Sequence, residues 1–145
     1  MNRAKRFFMR APIGLYRIGL GGVLGKRFLL LEHIGRKSGL TRRTVLEIVE
    51  FDDAGDPVVV SGYGEHSDWC RNVMATPDVV FTLGRTRHPA TARRLGTGEA
   101  REVFDRYRVA HPRAAAVIGE RIGVSLVDDV DGAAERLPLF RLASR

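Results

Sequence analysis

FLLLEHI at residues 28–34 and RTVLEIVEF at residues 43–51 are the two segments on which the architecture depends. Both are apolar runs, and the second is rich in β-branched side chains, so both are predicted to be strands. The polar segment DDAGDP at residues 52–57 is a dense turn signal, and a third apolar run, VVVS, follows it at residues 58–61. The second and third strands are therefore expected to form a hairpin.

Helix and strand signals alternate in the next part of the chain. Ser67 is an expected N-cap for a helix of about two turns that stops before Pro77. A second hairpin is predicted from strands at residues 79–83 and 86–95, in which Pro89 suits an edge or bulged strand. This hairpin adds two antiparallel strands to the three before it.

A longer helix is expected to begin with Thr97 as its cap and to end at Pro112. Its apolar side chains recur at helical spacing: Ala100, Val103, Phe104 and Tyr107. A shorter helix is predicted at residues 113–122 and a last strand at residues 137–142. Five to six mostly antiparallel strands interrupted by helices predict an α+β domain built on a small barrel or a strongly curved sheet.

The 145 residues fit a single domain, which we expect at residues 28–145. Residues 1–27 are predicted to form a basic amphipathic helix and a linker. Arg17 interrupts their apolar run, which is too short for the roughly 20 residues that span a bilayer. The helix is expected to pack against the domain or to rest on a membrane surface. A single cysteine, Cys70, favours a reducing, cytoplasmic location, with peripheral contact at the inner membrane face as an option.

The sequence is strongly basic, since 24 lysines and arginines against 17 acidic residues give a net charge of +7. Residues 1–50 hold 11 basic and 3 acidic residues, a local excess of +8. Such an asymmetric charge favours a polyanionic partner: a nucleic acid, an anionic membrane face, or a small ligand rich in phosphate and carboxylate groups. Composition alone leaves all three open.

Several kinds of catalytic chemistry have no motif in this sequence. It contains no Walker-type glycine loop, no nucleophile elbow and no cysteine or histidine pair with zinc-ligand spacing. We therefore expect no metal site. Cys70 is predicted to be a buried small hydrophobe. The histidines stand apart on different elements and are assigned no chemistry: His33, His66, His88 and His111.

The best candidate for a binding site links the first two strands. Gly35 and Gly39 enclose two cations and the hydroxyl of Ser38, and two further cations follow at the start of the second strand. The four cations are Arg36, Lys37, Arg42 and Arg43. Glycines let backbone amides approach a ligand closely, while arginine offers oxyanions a planar fork and lysine a point charge. Two interpretations stay open at this point: an oxyanion-binding turn, or a solvated basic hairpin turn.

Taken together, these segments resemble the deazaflavin-dependent nitroreductase family of actinobacteria. The resemblance covers roughly residues 5–142, and its specificity lies in the order and spacing of short motifs: LLL at 29–31, GRKSG at 35–39, RRT at 42–44, VVVS at 58–61, SDWCRN at 67–72 and ATP at 75–77. It implies a split β-barrel of the flavin-reductase or FMN-binding type, mostly antiparallel, with flanking helices. It also implies binding of coenzyme F-420, a deazaflavin whose tail carries a phosphate and several glutamates.

The resemblance further implies an oxidoreductase that uses the reduced coenzyme to transfer hydride to quinones, nitroaromatics or activated alkenes. Carried over to this sequence, it assigns the phosphate and glutamyl tail to Arg36, Lys37, Ser38, Gly39, Arg42 and Arg43. It assigns the deazaflavin ring to Thr44, Val45, Ser61, Gly62 and Tyr63. Trp69 and Asn72 are implied as supports of the pocket from the short helix, with Trp69 also a core residue. Ser61 and Tyr63 are candidates for a group that protonates the acceptor.

Two departures from the family concern the acceptor side. Residues 110–117 contain no aromatic residue where the family has a tyrosine-rich segment, and Cys70 stands where tyrosine is usual. FMN is the alternative cofactor, because related barrels bind it. The alternative functions are a non-catalytic cofactor-binding barrel and a basic nucleic-acid-binding protein. We expect no nucleic-acid partner, because the basic cluster is not interleaved with aromatic residues, and leave monomer and homodimer open.

Overall fold

A computed structural model describes residues 28–62 and 64–145 of the chain. Within these residues six strands form: β1 (Phe28–Ile34), β2 (Thr41–Phe51), β3 (Pro57–Val60), β4 (Asp78–Leu83), β5 (Thr86–Arg94) and β6 (Leu139–Ser144). Every pairing is antiparallel, and the strands close into a barrel in the order β1-β2-β3-β6-β5-β4. The predicted α+β class and barrel architecture are confirmed.

Helices cover one end and one side of this barrel. The described part of the chain contains four α-helices: α1 (Asp68–Ala75), α2 (Thr97–Ala110), α3 (Pro112–Ile122) and α4 (Val130–Arg136). A single turn of 3-10 helix at Gly64–His66 leads into α1, which connects β3 to β4, whereas α2, α3 and α4 follow one another between β5 and β6. The apolar stripe predicted for the long helix is the face that α2 buries.

The barrel wall separates two hydrophobic cores. The interior core is filled by strand side chains and by α1, which contributes Trp69 and Val73. The outer core lies between the barrel wall and the three later helices. β3 takes part in both, because Val59 belongs to the interior core while Val58 and Val60 belong to the outer core, as the alternation of a strand requires.

The predicted elements agree closely with the observed ones. β1 has the predicted bounds, and β2 begins two residues earlier than expected, at Thr41. Both predicted hairpins are present, since β2 pairs with β3 and β4 pairs with β5. The shorter helix begins at Pro112, and the last strand begins at Leu139. These differences are confined to element ends.

Pro89 does not lie on an edge strand, because β5 pairs with β4 on one side and with β6 on the other. Its carbonyl accepts a hydrogen bond from the Arg145 N–H at 3.0 Å, so its nitrogen also faces the side of β6. The last pair of that ladder joins Ala90 to Ser144, one residue away. The missing N–H of Pro89 therefore falls just beyond the paired region, where a strand tolerates proline.

The helix starts differ from expectation in one predicted cap and one missed helix. Ser67 is the N-cap of α1 as predicted, although it makes no side-chain capping bond. The cap of α2 is Gly96, and Thr97 is the first residue inside the helix. α4 is not predicted from the sequence, although Asp129 caps it by accepting a hydrogen bond from the Gly132 N–H at 2.9 Å. A cap without a long apolar stripe behind it is a weak sequence signal.

Residues 1–27, with the amphipathic helix and membrane contact predicted for them, lie outside the described residues. In the part of the chain that is described, none of the helices has the length and apolar character needed to cross a membrane. The domain boundary at residue 28 stays a prediction.

Candidate functional site

The loop between β1 and β2, residues 35–40, is a compact structure that we call the basic turn. Two backbone hydrogen bonds close it: the Gly35 N–H donates to Leu40 O, and the Gly39 N–H donates to Gly35 O, both at 2.8 Å. Gly39 has a φ of +71°, a left-handed conformation that glycine adopts without strain. The closed loop leaves Lys37 exposed at its tip.

Replacing Gly39 by alanine is expected to lower the free energy of unfolding by about 1 kcal/mol, because an alanine side chain is strained at positive φ. No atom of the described residues lies within 4 Å of the position that an added Cβ would take, so the expected cost is backbone strain. Gly98→Ala in α2 is a matched control with equally open space and no positive φ, and it should stabilise the helix. Urea unfolding measures both effects, and equal effects of the same sign would contradict this account.

Arg36 is held against α1 rather than free in solvent. The Asn72 Oδ1 accepts hydrogen bonds from the Arg36 backbone N–H at 3.0 Å and from its guanidinium at 2.9 Å. The guanidinium also lies 3.4 Å from an Asp68 carboxylate oxygen. Because its amide and its guanidinium are both engaged, Arg36 acts as an anchor of the basic turn.

Lys37 and Arg42 differ from the other two predicted cations in having no counter-charge among the described residues. Among the residues that the structure describes, no carboxylate lies within ion-pair distance of either side chain. Arg43, by contrast, lies 3.7 Å from a Glu32 oxygen, and the same carboxylate pairs with Arg87 at 2.8 Å. The positive charge available to a ligand is therefore concentrated at Lys37 and Arg42.

The predicted site residues of β2 are divided between the two faces of the strand. Arg42 and Thr44 share the face on which Leu46 enters the interior core, whereas Arg43 and Val45 lie on the outer face. The Thr44 Oγ1 is buried and has no hydrogen-bond partner within the described part of the chain. Thr44 and Val45 therefore cannot both present side chains to the same side of one ligand.

Ser61 and Gly62 lie in the loop that leads from β3 towards α1. Ser61 has no exposed surface, and its hydroxyl donates to Gly64 O at 2.6 Å and lies 2.9 Å from the Ser67 Oγ. Because the hydrogen of this hydroxyl is used within the loop, the geometry gives Ser61 a structural role and does not support it as a proton donor. Tyr63, the other candidate, lies outside the described residues.

The two supports predicted on α1 act in different ways. Trp69 is 6% exposed and lies in the interior core, where its ring meets that of Phe140 edge-on with centroids 5.4 Å apart. Asn72 is 3% exposed and faces the basic turn through its bonds to Arg36. Trp69 therefore belongs to the packing of the barrel, and Asn72 belongs to the site.

His33, which has no role assigned to it from the sequence, is a buried member of this site. It is 4% exposed, and its Nδ1 lies 3.0 Å from the Asn72 Nδ2. Burial, and then the positive charge of Arg42, lower the pKa of His33 to about 4, so the imidazole is neutral at neutral pH. Strand alternation was the available signal, because it places His33 on the face of β1 that carries Leu29 and Leu31 into the interior core.

A cavity of about 340 Å³ lies elsewhere, at the junction of β5 with α2 and of α4 with β6. Its lining includes Arg94, Thr97 and Leu137. None of the described candidate residues lines it, and Arg94 is already paired with Glu65. The cavity and the basic turn are separate features.

The closed antiparallel barrel defines the class of this protein as a split β-barrel, and the basic turn gives it a cationic site at one end. Within that class the chain belongs to the F420H(2)-dependent quinone reductase family, whose model matches residues 10–127. It is therefore an F-420-dependent oxidoreductase by family, and the cofactor expected from the sequence is the cofactor of that family.

One solved structure agrees with the family assignment, and two others show the same fold. One described as an F420-H2 dependent reductase, FDR-A, is 26% identical with a TM-score of 0.56, over 81% of this chain and 94% of that one. A pyridoxamine 5'-phosphate oxidase-related, FMN binding protein from Nostoc punctiforme is 13% identical with a TM-score of 0.56, over 90% of this chain and 78% of that one. A conserved hypothetical protein from Mycobacterium tuberculosis is 20% identical with a TM-score of 0.55, over 90% of this chain and 79% of that one. The last two show the fold alone, and a comparison with curated proteins gave no match.

The residues at the basic turn fit coenzyme F-420. Its tail carries a phosphate and several carboxylates, and Lys37 and Arg42 are cations without a described partner. The backbone amides of Lys37 and Ser38 donate to no residue in the described ranges, so they are available to an oxyanion. The unpartnered Thr44 Oγ1 is a buried polar atom that the polar edge of a ring can satisfy.

Proposed function

We propose that this oxidoreductase transfers a hydride from reduced coenzyme F-420 to a quinone. The observation that carries the proposal is the pair of exposed cations, Lys37 and Arg42, that no described carboxylate neutralises. Lys37 belongs to the hydrogen-bonded basic turn and Arg42 to the strand that follows it, and the turn is held to α1 through Arg36. A polyanionic tail supplies the missing counter-charge, which favours the longer tail of F-420 over the single phosphate of FMN.

The tail is proposed to lie along the basic turn. Lys37 offers a point charge at the tip, and Arg42 offers a planar fork from the start of β2. The Ser38 Oγ accepts a hydrogen bond from the Leu40 N–H at 3.2 Å, which leaves its own hydrogen for a phosphate oxygen. Arg43 contributes less, because Glu32 already offsets its charge.

The deazaflavin ring is proposed to lie between β2 and the loop after β3. The Thr44 hydroxyl would hydrogen-bond to the polar edge of the ring, and the main chain of Val45 would contact the ring. Gly62 would let the ring approach the backbone closely. When bound, the reduced coenzyme supplies the hydride, and the chain orients it towards the acceptor. Trp69 acts behind this surface by packing α1 into the barrel. Tyr63 stays the proposed proton donor.

A quinone is the acceptor that the family favours. Nitroaromatics and activated alkenes are proposed as further acceptors, because they also take a hydride at an electron-poor centre and then a proton. A non-catalytic barrel that only binds the coenzyme is the second candidate, and it rests on the same cationic turn. Monomer and homodimer are both compatible with this proposal.

Mixing the purified protein with reduced F-420 and menadione is expected to return the absorbance of the oxidised deazaflavin, with one hydroquinone formed for each coenzyme oxidised. The hydride and one proton convert the quinone to the hydroquinone, so the products balance. A reaction without protein corrects for direct reduction, and a nitroaromatic and an activated alkene are run in parallel. Coenzyme binding without turnover of any acceptor would favour the non-catalytic barrel, and no coenzyme binding would reject both candidates.

A further inference from the structure

A chain of buried polar groups links β1, α1 and the basic turn. The His33 Nδ1 lies 3.0 Å from the Asn72 Nδ2. On its other side, the Asn72 Oδ1 accepts two hydrogen bonds from Arg36, one from the backbone and one from the guanidinium. His33 and Asn72 are 4% and 3% exposed, so water does not readily replace either partner.

The two bonds from Arg36 fix the direction of every other bond in the chain. Both Arg36 groups are donors, so the Asn72 atom that meets them is its oxygen, and the amide nitrogen faces His33. That nitrogen carries only donors, so the His33 Nδ1 must accept. The proton of the neutral imidazole therefore lies on Nε2.

The surroundings of His33 favour this neutral form. Burial lowers the pKa of His33 most, Arg42 across the β1–β2 ladder lowers it further, and Asp68 on α1 acts in the opposite direction. A protonated ring would place a hydrogen on Nδ1 against the donating amide of Asn72. The hydrogen-bond chain thus requires a neutral His33, and the surroundings of His33 favour that same neutral form.

The hydrogen-bond chain reaches the backbone of the basic turn at Arg36. Arg36 is the first residue after Gly35, and its backbone N–H is one of the groups bound by Asn72. Lys37 and Ser38 follow directly, so the direction of their side chains depends on how the Arg36 peptide is oriented. Without an acceptor at His33, the Asn72 Nδ2–H would be buried without a partner, and any shift of the amide to reach another acceptor would disturb the oxygen that holds Arg36.

We propose that His33 is a positioning residue that, through Asn72, holds the basic turn in the orientation that binds the anionic tail of the coenzyme. The proposal rests on the proposed function, because it takes the basic turn as the tail site. His33 itself touches Asn72 and need not touch the coenzyme.

The test compares the binding of oxidised F-420 with that of its riboside, which keeps the deazaflavin ring and lacks the phosphate and glutamates. His33→Leu is expected to weaken F-420 binding about tenfold, the effect of one lost hydrogen bond to a buried group, and to leave riboside binding unchanged. His33→Gln, whose side-chain oxygen can accept the bond from Asn72, should restore most of the affinity. A general loss of packing would weaken both ligands and would not be rescued by glutamine.

A second measurement does not need the coenzyme. Heteronuclear NMR of the His33 imidazole is expected to show the Nε2–H tautomer in the wild type. In Asn72→Asp a carboxylate faces the ring, so the proton should move to Nδ1, which then donates. Wild-type protein with the Nδ1–H tautomer would overturn the proposal even if the coenzyme binds.

The outcomes separate this proposal from the proposed function. If wild-type protein binds F-420 no better than the riboside, the basic turn is not the tail site and both proposals fall. If the wild type prefers F-420 but folded His33→Leu keeps the full preference, only the role of His33 is rejected. Should His33→Leu fail to fold, His33→Gln and Asn72→Ala give the same comparison, with the loss expected only for Asn72→Ala.

Discussion

The double variant Lys37→Ala, Arg42→Ala is expected to bind oxidised F-420 about 100-fold more weakly than the wild type. Each cation is assigned about 1.4 kcal/mol, a tenfold effect, which is modest for a charge-assisted hydrogen bond because both side chains are exposed to water. The two are the cations near the basic turn without a described counter-charge, so removing them frees no buried carboxylate. Isothermal titration calorimetry at low salt measures the change in the dissociation constant for oxidised F-420.

Three comparisons show that the loss concerns the tail. Added salt should weaken wild-type binding and leave the variant almost unaffected, because exposed charges are screened. The riboside should bind wild type and variant equally. Arg85→Ala is the matched control: this exposed arginine lies in the turn between β4 and β5, and the structure gives it no ion pair with any described residue. If Arg85→Ala weakened binding as much as the double variant, general surface charge would explain the effect.

Trp69→Ala is expected to lower the free energy of unfolding by about 3–5 kcal/mol, the usual cost of removing a buried aromatic side chain. The ring is 6% exposed and packs edge-on against Phe140 inside the barrel. Since a domain of this kind has roughly 5–15 kcal/mol of stability in total, the variant should lie close to unfolding at room temperature. Urea unfolding, followed by far-ultraviolet circular dichroism, measures the change.

Met74→Ala is the control for this prediction, because Met74 lies on the same short helix and is 55% exposed. Its effect should stay within about 0.5 kcal/mol, as for most surface substitutions. Trp69→Phe should recover part of the lost stability by keeping an aromatic ring in the core. If Trp69→Ala weakened coenzyme binding and left stability unchanged, the side chain would be a wall of the pocket and our assignment to the core would be wrong.

Most of the fold follows from local sequence patterns. β1 and the hairpin of β2 and β3 are marked by apolar runs and a dense turn, and the buried stripe of α2 is visible as a 3.6-residue period. The closure of the barrel is harder to predict from the sequence, because the pairing of β3 with β6 joins segments that are far apart in the chain. α4 escapes prediction because it is short and its burial depends on α2.

The site is only partly visible in the sequence for a related reason. Its composition is local, so the cluster of cations at residues 36–43 can be found directly. The hydrogen bonds that hold Arg36 are not local, because Asn72 is 36 positions away in the sequence. His33, the next partner of Asn72, is 39 positions from it. Sequence composition therefore identifies which charges are present, while the packing of α1 decides which of them are free.

The shared wall of the barrel limits where this chain can gain or lose residues. β3 spans only Pro57–Val60, and within it Val59 faces one core while its neighbours Val58 and Val60 face the other. A one-residue insertion or deletion inside β3 would reverse the direction of the strand residues that follow it, so side chains that belong in one core would face the other. Changes in chain length should be tolerated instead at residues 53–55, the exposed part of the polar turn between β2 and β3, where they leave the alternation of the strand intact.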